Sequence, residues 1–392
     1  MKSDSGGVSV RESCRAGVFL LALLGLAADG FAQDLPRVEP GIEYLHHRIG
    51  DGPWSIHVVK VSRANGKFRF VSSLAQDTIY GLATVREQVG APLPAGLGRP
   101  VAAVNGDFFV IRPGPYRGDP LGLHIVRGEL VSAPRGTAFW IDRQGSPHIG
   151  EAAARFRATG PKDLDIPFGL NQQRDEDTAV LYTPAVGAST RTGTGLELIL
   201  EKAGDGEWLP LRAGGSYRAK IAALAEQGNA ELAADTMVLS IGPALARKLT
   251  TPDVGDVISL EPATSPDLAG ATVAVGGGPI LLEAGKAPEW PGPQPRHPRT
   301  ALGWNEEQYF LVVVDGRQRG LSAGMTYPEL ASLMKRLGCE YAMNLDGGGS
   351  STLWLDGHIM NSPSDGRERA VANSLIVVAV EPNETGEAMQ NR

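Results

Sequence analysis

Cysteine is nearly missing from this chain. Of 392 residues only Cys14 and Cys339 carry a thiol. Cys14 lies in the expected leader, so Cys339 has no partner and a disulfide framework is excluded. Cys339 follows a helical pattern and reads as a small buried hydrophobe rather than a reactive thiol. Other signatures are also missing. There is no His-x-x-x-His pair, no cysteine pair for zinc, no Walker loop and no Gly-x-Ser-x-Gly elbow. A basic excess is missing too: net charge is −7, which argues against nucleic acid and anionic membrane surfaces as partners. Apolar runs of spanning length are absent. Ala16 to Ala28 is unbroken but shorter than the roughly 20 residues a membrane helix needs. With Lys2, Arg11 and Arg15 before it and Gly30-Phe31-Ala32 after it, the run reads as a secretory signal. The expectation is an exported protein, periplasmic or secreted, with no stable membrane insertion after cleavage.

Glycine and proline, by contrast, are plentiful, at 50 and 28 residues, and spread along the chain. That distribution fits tight turns between short strands. His57 to Val61 and Lys67 to Val71 read as a hairpin turning at Ala64-Asn65-Gly66. Thr84 to Val89 reads as a short helix, and Pro243 to Leu249 as another. Thr326 to Leu337 carries the strongest helical signal. Thr326 can cap it, Glu329 sits three residues on, Gly338 follows, and Leu330, Leu333, Met334 and Leu337 share a face. Residues 160–265 hold short strands and turn signals. The expected class is therefore α+β, a mixed β-sheet core with packed helices and an inserted small all-β subdomain. The expected divisions are a signal at 1–32, a catalytic domain in two pieces at 33–159 and 266–381, the insertion at 160–265, and a polar tail at 382–392.

Polar residues fall where apolar strands stop. Asn105-Gly106-Asp107, Gly276-Gly277-Gly278, Asp315-Gly316-Arg317 and the run from Asn344 to Thr352 all follow apolar segments. Strand ends on a rigid scaffold are the usual location of catalytic groups. Three glycines in a row leave N–H groups uncovered, free to face an anion. Asp346 stands between an apolar strand and Gly347, Gly348, Gly349, Ser350, Ser351 and Thr352. A turn-capping role explains one Asp before Gly, but not three glycines and three hydroxyls. Arg299 and Arg317 read either as solvated charges, the latter paired with Asp315, or as bidentate phosphate ligands.

Seven runs in order together resemble the phosphodiester glycosidase family, relatives of the uncovering enzyme N-acetylglucosamine-1-phosphodiester α-N-acetylglucosaminidase, and specifically its bacterial, exopolysaccharide-associated members. They are Asn105 to Phe109, Val180 to Pro184, Gly276 to Pro279, Pro298 to Gly303, Asp315 to Gln318, Asn344 to Thr352 and Glu368 to Asn373. The resemblance implies an α+β domain with a β insertion. It also implies cleavage between a sugar anomeric carbon and a phosphodiester, in an envelope or extracellular glycan. Carried over, the catalytic group is Asp346, Asp315 and Asn344. The carried-over Asn105, Arg299, Arg317 and Asn373 are expected to bind substrate, and the strand-end turns add Asp107, Gly277, Gly278, Gly347, Gly348, Gly349 and Ser350 to that group. The partner is a sugar-1-phosphodiester or glycan, and no cofactor is required. Two alternatives stay open. One is a divalent-metal phosphodiesterase with Asp107, Asp315 and Asp346 as oxygen ligands. The other is a non-catalytic glycan-binding protein stacking sugars on Trp290 and Trp304.

Overall fold

A computed structural model describes residues 38–50 and 53–380. The expected signal and the polar tail lie outside the described residues. Within them the fold is built almost entirely from strands, which corrects the α+β expectation. Three α-helices occur among the described residues: Val85–Gly90, Pro243–Ala246 and Tyr327–Arg336. The helix signals were sound where they were strong. Thr84 with Glu87, and Thr326 with Glu329, each form a capping box.

The α+β expectation gave way because strands, not helices, supply most of the core. The continuous apolar strand Gln308–Val314 resembles the two-sided strand of a parallel sheet. Here it is central and antiparallel, with a core on each face. Phe310, Val312 and Val314 enter one core and Leu311 and Val313 the other. Among the described residues only Gly169–Leu170 and Ala179–Tyr182 form a parallel ladder of strands.

A six-stranded sheet runs Ile42–Ile49, Trp54–Ser62, Gln308–Val314, Arg299–Trp304, Tyr341–Asn344, Ile280–Leu282. A five-stranded sheet runs His358–Ile359, Leu353–Leu355, Arg99–Asn105, Asn373–Ala379, Phe68–Leu74. They share a core in which Val59, Leu302, Leu311 and Met343 meet Val104, Leu353, Leu375 and Val377. Fully burying such a side chain contributes roughly 1.5–3 kcal/mol. Helix Tyr327–Arg336 covers the outer face of the first sheet through Leu330, Leu333 and Met334. Helix Val85–Gly90 covers the second through Val85 and Val89.

The expected hairpin at residues 57–71 does not form. Trp54–Ser62 already has a neighbour on each edge, Ile42–Ile49 and Gln308–Val314. The chain leaves it through a short 3-10 turn, Ala64–Gly66, and Phe68–Leu74 joins the other sheet. A third sheet, of twelve strands, takes residues 124–276. Strands within 160–265 continue through Pro147–Thr159 and Arg135–Ile141 to Val273–Gly276 and His124–Val126 without a break in the ladder.

Candidate active site

Ends of strands from all three sheets meet at one place. Asn344 closes Tyr341–Asn344 and Arg299 opens Arg299–Trp304 in the six-stranded sheet. Asn105 closes its strand and Asn373 opens its own in the five-stranded sheet. Gly276 closes a strand of the large sheet.

Asn105 ties these ends together. Its Oδ1 accepts from the Thr300 hydroxyl at 2.8 Å and from Thr352 N at 3.1 Å. Its Nδ2 donates to the Asp346 carbonyl at 2.7 Å, while Asp346 N donates to Gly106 O at 3.0 Å. A buried amide with all these bonds made is a positioning clamp, since each broken bond would strand a buried partner. Asn344 acts similarly. Its Nδ2 donates to the carbonyls of Gly278 at 2.8 Å and Leu345 at 2.5 Å, and its buried Oδ1 lacks a partner among the described residues. Asn373 Oδ1 accepts Asp107 N at 2.9 Å, and its amide nitrogen lies 3.4 Å from His124 Nδ1.

Two carboxyls sit in this frame. Burial raises the Asp346 carboxyl above its ordinary value. The Ser350 hydroxyl, the Gly347 N–H at 2.8 Å and Arg369 pull it back. Asp107 is fully buried, and desolvation carries it to about 7 despite N–H bonds from Gly122 and Phe108, each at 2.7 Å; the charge of Asp346 adds to the rise. Asp119 is likewise pushed up, to about 8, by burial and by the charge of Asp107, although Arg135 pulls it back.

Cations gather beside the glycine run. Burial lowers the Arg299 guanidinium, which stacks 4.0 Å above the Tyr327 ring and donates from Nε to Met325 O and from Nη2 to Pro295 O. Arg317 is exposed, with its Nη2 3.1 Å from His297 Nδ1. A Cβ added at Gly348 would stand 3.1 Å from Arg317 Nη1, so this guanidinium lies on the bare glycine backbone. Burial and then both arginines depress His297. Neither arginine has a carboxylate partner among the described residues. On the far flank, Arg369 pairs with Asp365 at 2.7 Å and reaches Ser350 Oγ at 3.4 Å.

Not every expected residue joins. Asp315 is buried one layer behind, 3.0 Å from His57 Nε2, with Ser362 N on its other oxygen at 2.8 Å. It shapes the site through Asn361, which bonds both Asp315 and the Ser351 carbonyl. No group of three or more His, Cys, Asp or Glu placed to hold a metal occurs among the described residues, so Asp107, Asp315 and Asp346 are not assembled as one.

Gly277 and Gly278 do not present free N–H groups to an anion. They donate to Thr137 O at 3.1 Å and Asn344 O at 2.7 Å. Their bareness serves close approach instead, because a Cβ on Gly277 would lie 2.7 Å from Asn344 O. Gly348 N likewise donates to Pro298 O, at 2.9 Å. Trp304 is packed in the core against Tyr341, and Trp290 stacks on Tyr327. Cys339 is buried, with its thiol pushed up to about 12, as its sequence context implied.

His297, Arg369, His57 and Asp119 were missed. The first two adjoin or lie within motifs already singled out, Pro298-Arg299 and Glu368 to Asn373. His57 carries no local signal, because its partner is 258 positions away.

The site is thus a meeting of strand ends with two raised carboxyls, Asp107 and Asp346, and, beside the glycine turn, two guanidiniums without carboxylate partners among the described residues. The sequence model of the phosphodiester glycosidase family matches residues 236–378, and the resemblance read from the motifs is shown over that segment. The chain is similar to a protein of Synechocystis at a TM-score of 0.68, with 19% identity, over 88% of this chain and 64% of that one. A Burkholderia pseudomallei protein described as exported gives a TM-score of 0.64 and 22% identity, covering 83% and 74% of the two chains. Both likenesses concern the fold. The prophage-derived protein YomE of Bacillus subtilis is 39% identical over 89 residues, 22% of this chain and 14% of that relative. The chain therefore spans a small part of that relative's length. Among the described residues no helix is long and apolar enough to cross a membrane.

Proposed function

We propose that the protein is an exported glycoside hydrolase acting on a sugar-1-phosphodiester of an envelope or extracellular glycan. It breaks the bond between the anomeric carbon and the phosphate oxygen. The observation that carries this reading is the pair Arg299 and Arg317. Both depress His297, Arg317 rests on Gly348, and neither has a carboxylate partner among the described residues. Two neighbouring cations without a carboxylate between them favour an anion, and guanidiniums match the oxygens of a phosphate.

With the phosphate so held, Asp346 stands at the start of the glycine turn on which Arg317 rests. Its carboxylate attacks the anomeric carbon or takes a proton from the attacking water. The C–O bond breaks, the electron pair leaves with the phosphate, and the water oxygen ends on the sugar. A phosphate monoester is a good leaving group, so the arginines that neutralise it do the work a general acid does for an alcohol. Asn105 and Asn344 fix the Asp346 turn, and Asn373 fixes Asp107.

Asp346→Asn keeps size and shape but removes the charge. Turnover of a sugar-1-phosphodiester is expected to fall by at least about 10²–10⁴, with thermal melting little changed. Wild-type turnover in that variant would remove Asp346 from the mechanism.

A further inference from the structure

Away from this cleft, the edge of the five-stranded sheet meets the large sheet without a ladder. Phe68–Leu74 is the edge strand, bonded along one side to Asn373–Ala379. On its other side lie His124–Val126 and Val273–Gly276. The seam is closed at Ser72, whose hydroxyl donates to Ile125 O at 2.6 Å. Toward the start of the strand it opens into a cavity of about 300 Å³, beside Arg69, Phe70, Leu97, Arg127, Thr272 and Val273.

The walls and the rim differ in character. The walls include Phe70 and Val273, both buried in the core shared by the two smaller sheets. The rim carries two exposed guanidiniums. Arg69 stands on the edge strand. Arg127 stands at the tip of the turn between His124–Val126 and Glu129–Ser132, with φ of 51°. That left-handed conformation is uncommon for a residue other than glycine and sets the direction in which Arg127 leaves the turn. Neither arginine forms a salt bridge or side-chain hydrogen bond among the described residues. Glu129, two residues on, is pushed upward by burial and pulled back by Arg127 and Arg212, without a salt bridge to Arg127.

We infer that this cavity binds a small amphiphilic anion, with its carboxylate or phosphate between Arg69 and Arg127 and its apolar body in the seam. The volume stands at the lower end of ligand pockets, which fits a short-chain molecule. The position is separate from the Asp346 cleft. Val273 begins the short strand whose other end, Gly276, packs on Asp107. An occupant therefore presses on the same strand that floors the cleft.

The test reads binding, so it stands whether or not the protein turns over a glycoside. The full chain is titrated calorimetrically with octyl phosphate, octanoate, octanol and inorganic phosphate, each below micelle-forming concentration. Saturable 1:1 binding is expected for one or both octyl anions, tighter than for octanol or for phosphate alone. Preference between the two anions identifies the headgroup. Arg69→Ser with Arg127→Ser should weaken binding roughly tenfold or more, the loss of a charge-assisted hydrogen bond, and the paired Lys replacements should retain most of it. Both sites are exposed, so folding is expected to hold, checked by melting. Equal binding in the Ser variant, equal binding of octanol, or no binding of either anion overturns the proposal.

Discussion

Asp107 and Asp346 are neighbouring carboxyls that burial treats differently. Asp107 has both oxygens on backbone N–H groups, yet full desolvation raises it from 3.8 to about 7. Its folded value exceeds its unfolded one, so its contribution to stability is fully present below pH about 4 and is lost as pH rises through about 7. Denaturant unfolding between pH 4 and 8 should therefore show stability falling with pH. Asp107→Asn should reduce that slope, leaving the share carried by Asp119, and an unchanged slope would exclude Asp107. At Arg317 the effect belongs to binding. Arg317→Ala leaves the core intact, because the side chain is exposed, and should raise KM for a phosphodiester substrate more than it changes melting. Which residues would matter was visible in the sequence because charge stood where apolar runs stopped. Their division of labour was not. Asp315 looked equivalent to Asp346 by position, but one meets His57 in the layer behind and the other meets the cleft.

The turn from Gly347 to Ser350 shows why glycine was needed, and the reason differs from one position to the next. At Gly349 an added Cβ would stand 2.1 Å from Arg369 Nη2 and 2.2 Å from Asp365 Oδ2. Gly349→Ala is therefore expected to split that ion pair and cut turnover, with only a modest loss of stability for an exposed pair. Kinetics beside melting separates the two effects. Helix Tyr327–Arg336 behaves as an element whose ends were written locally. Thr326→Ala should cost about 1 kcal/mol, read by denaturant unfolding, since the hydroxyl caps Glu329 N. Capped helices were legible for this reason. Strand partners were not, because pairing depends on which edges are already taken. Trp54–Ser62 had both edges filled, and the hairpin read into residues 57–71 gave way to a crossing between sheets.

At the scale of the molecule, the fold brings ends of three sheets to one cleft and locks them from behind. The lock is a buried chain from Tyr44 through His57 and Asp315 to Asn361 and the Ser351 carbonyl. His57→Leu would strand the Asp315 carboxylate among buried groups, so a loss of about 3–5 kcal/mol in unfolding free energy is expected. The apolar strands made a layered core predictable. The number of sheets was not, since a two-sided core strand such as Gln308–Val314 has the same apolar run in parallel and antiparallel settings.

The central claim is that this cleft attacks carbon rather than phosphorus. Hydrolysis of a panel of sugar-1-phosphodiesters in water enriched in heavy oxygen tests it directly. Label is expected on the anomeric hydroxyl of the released sugar and none on the phosphate. Label on the phosphate would contradict it.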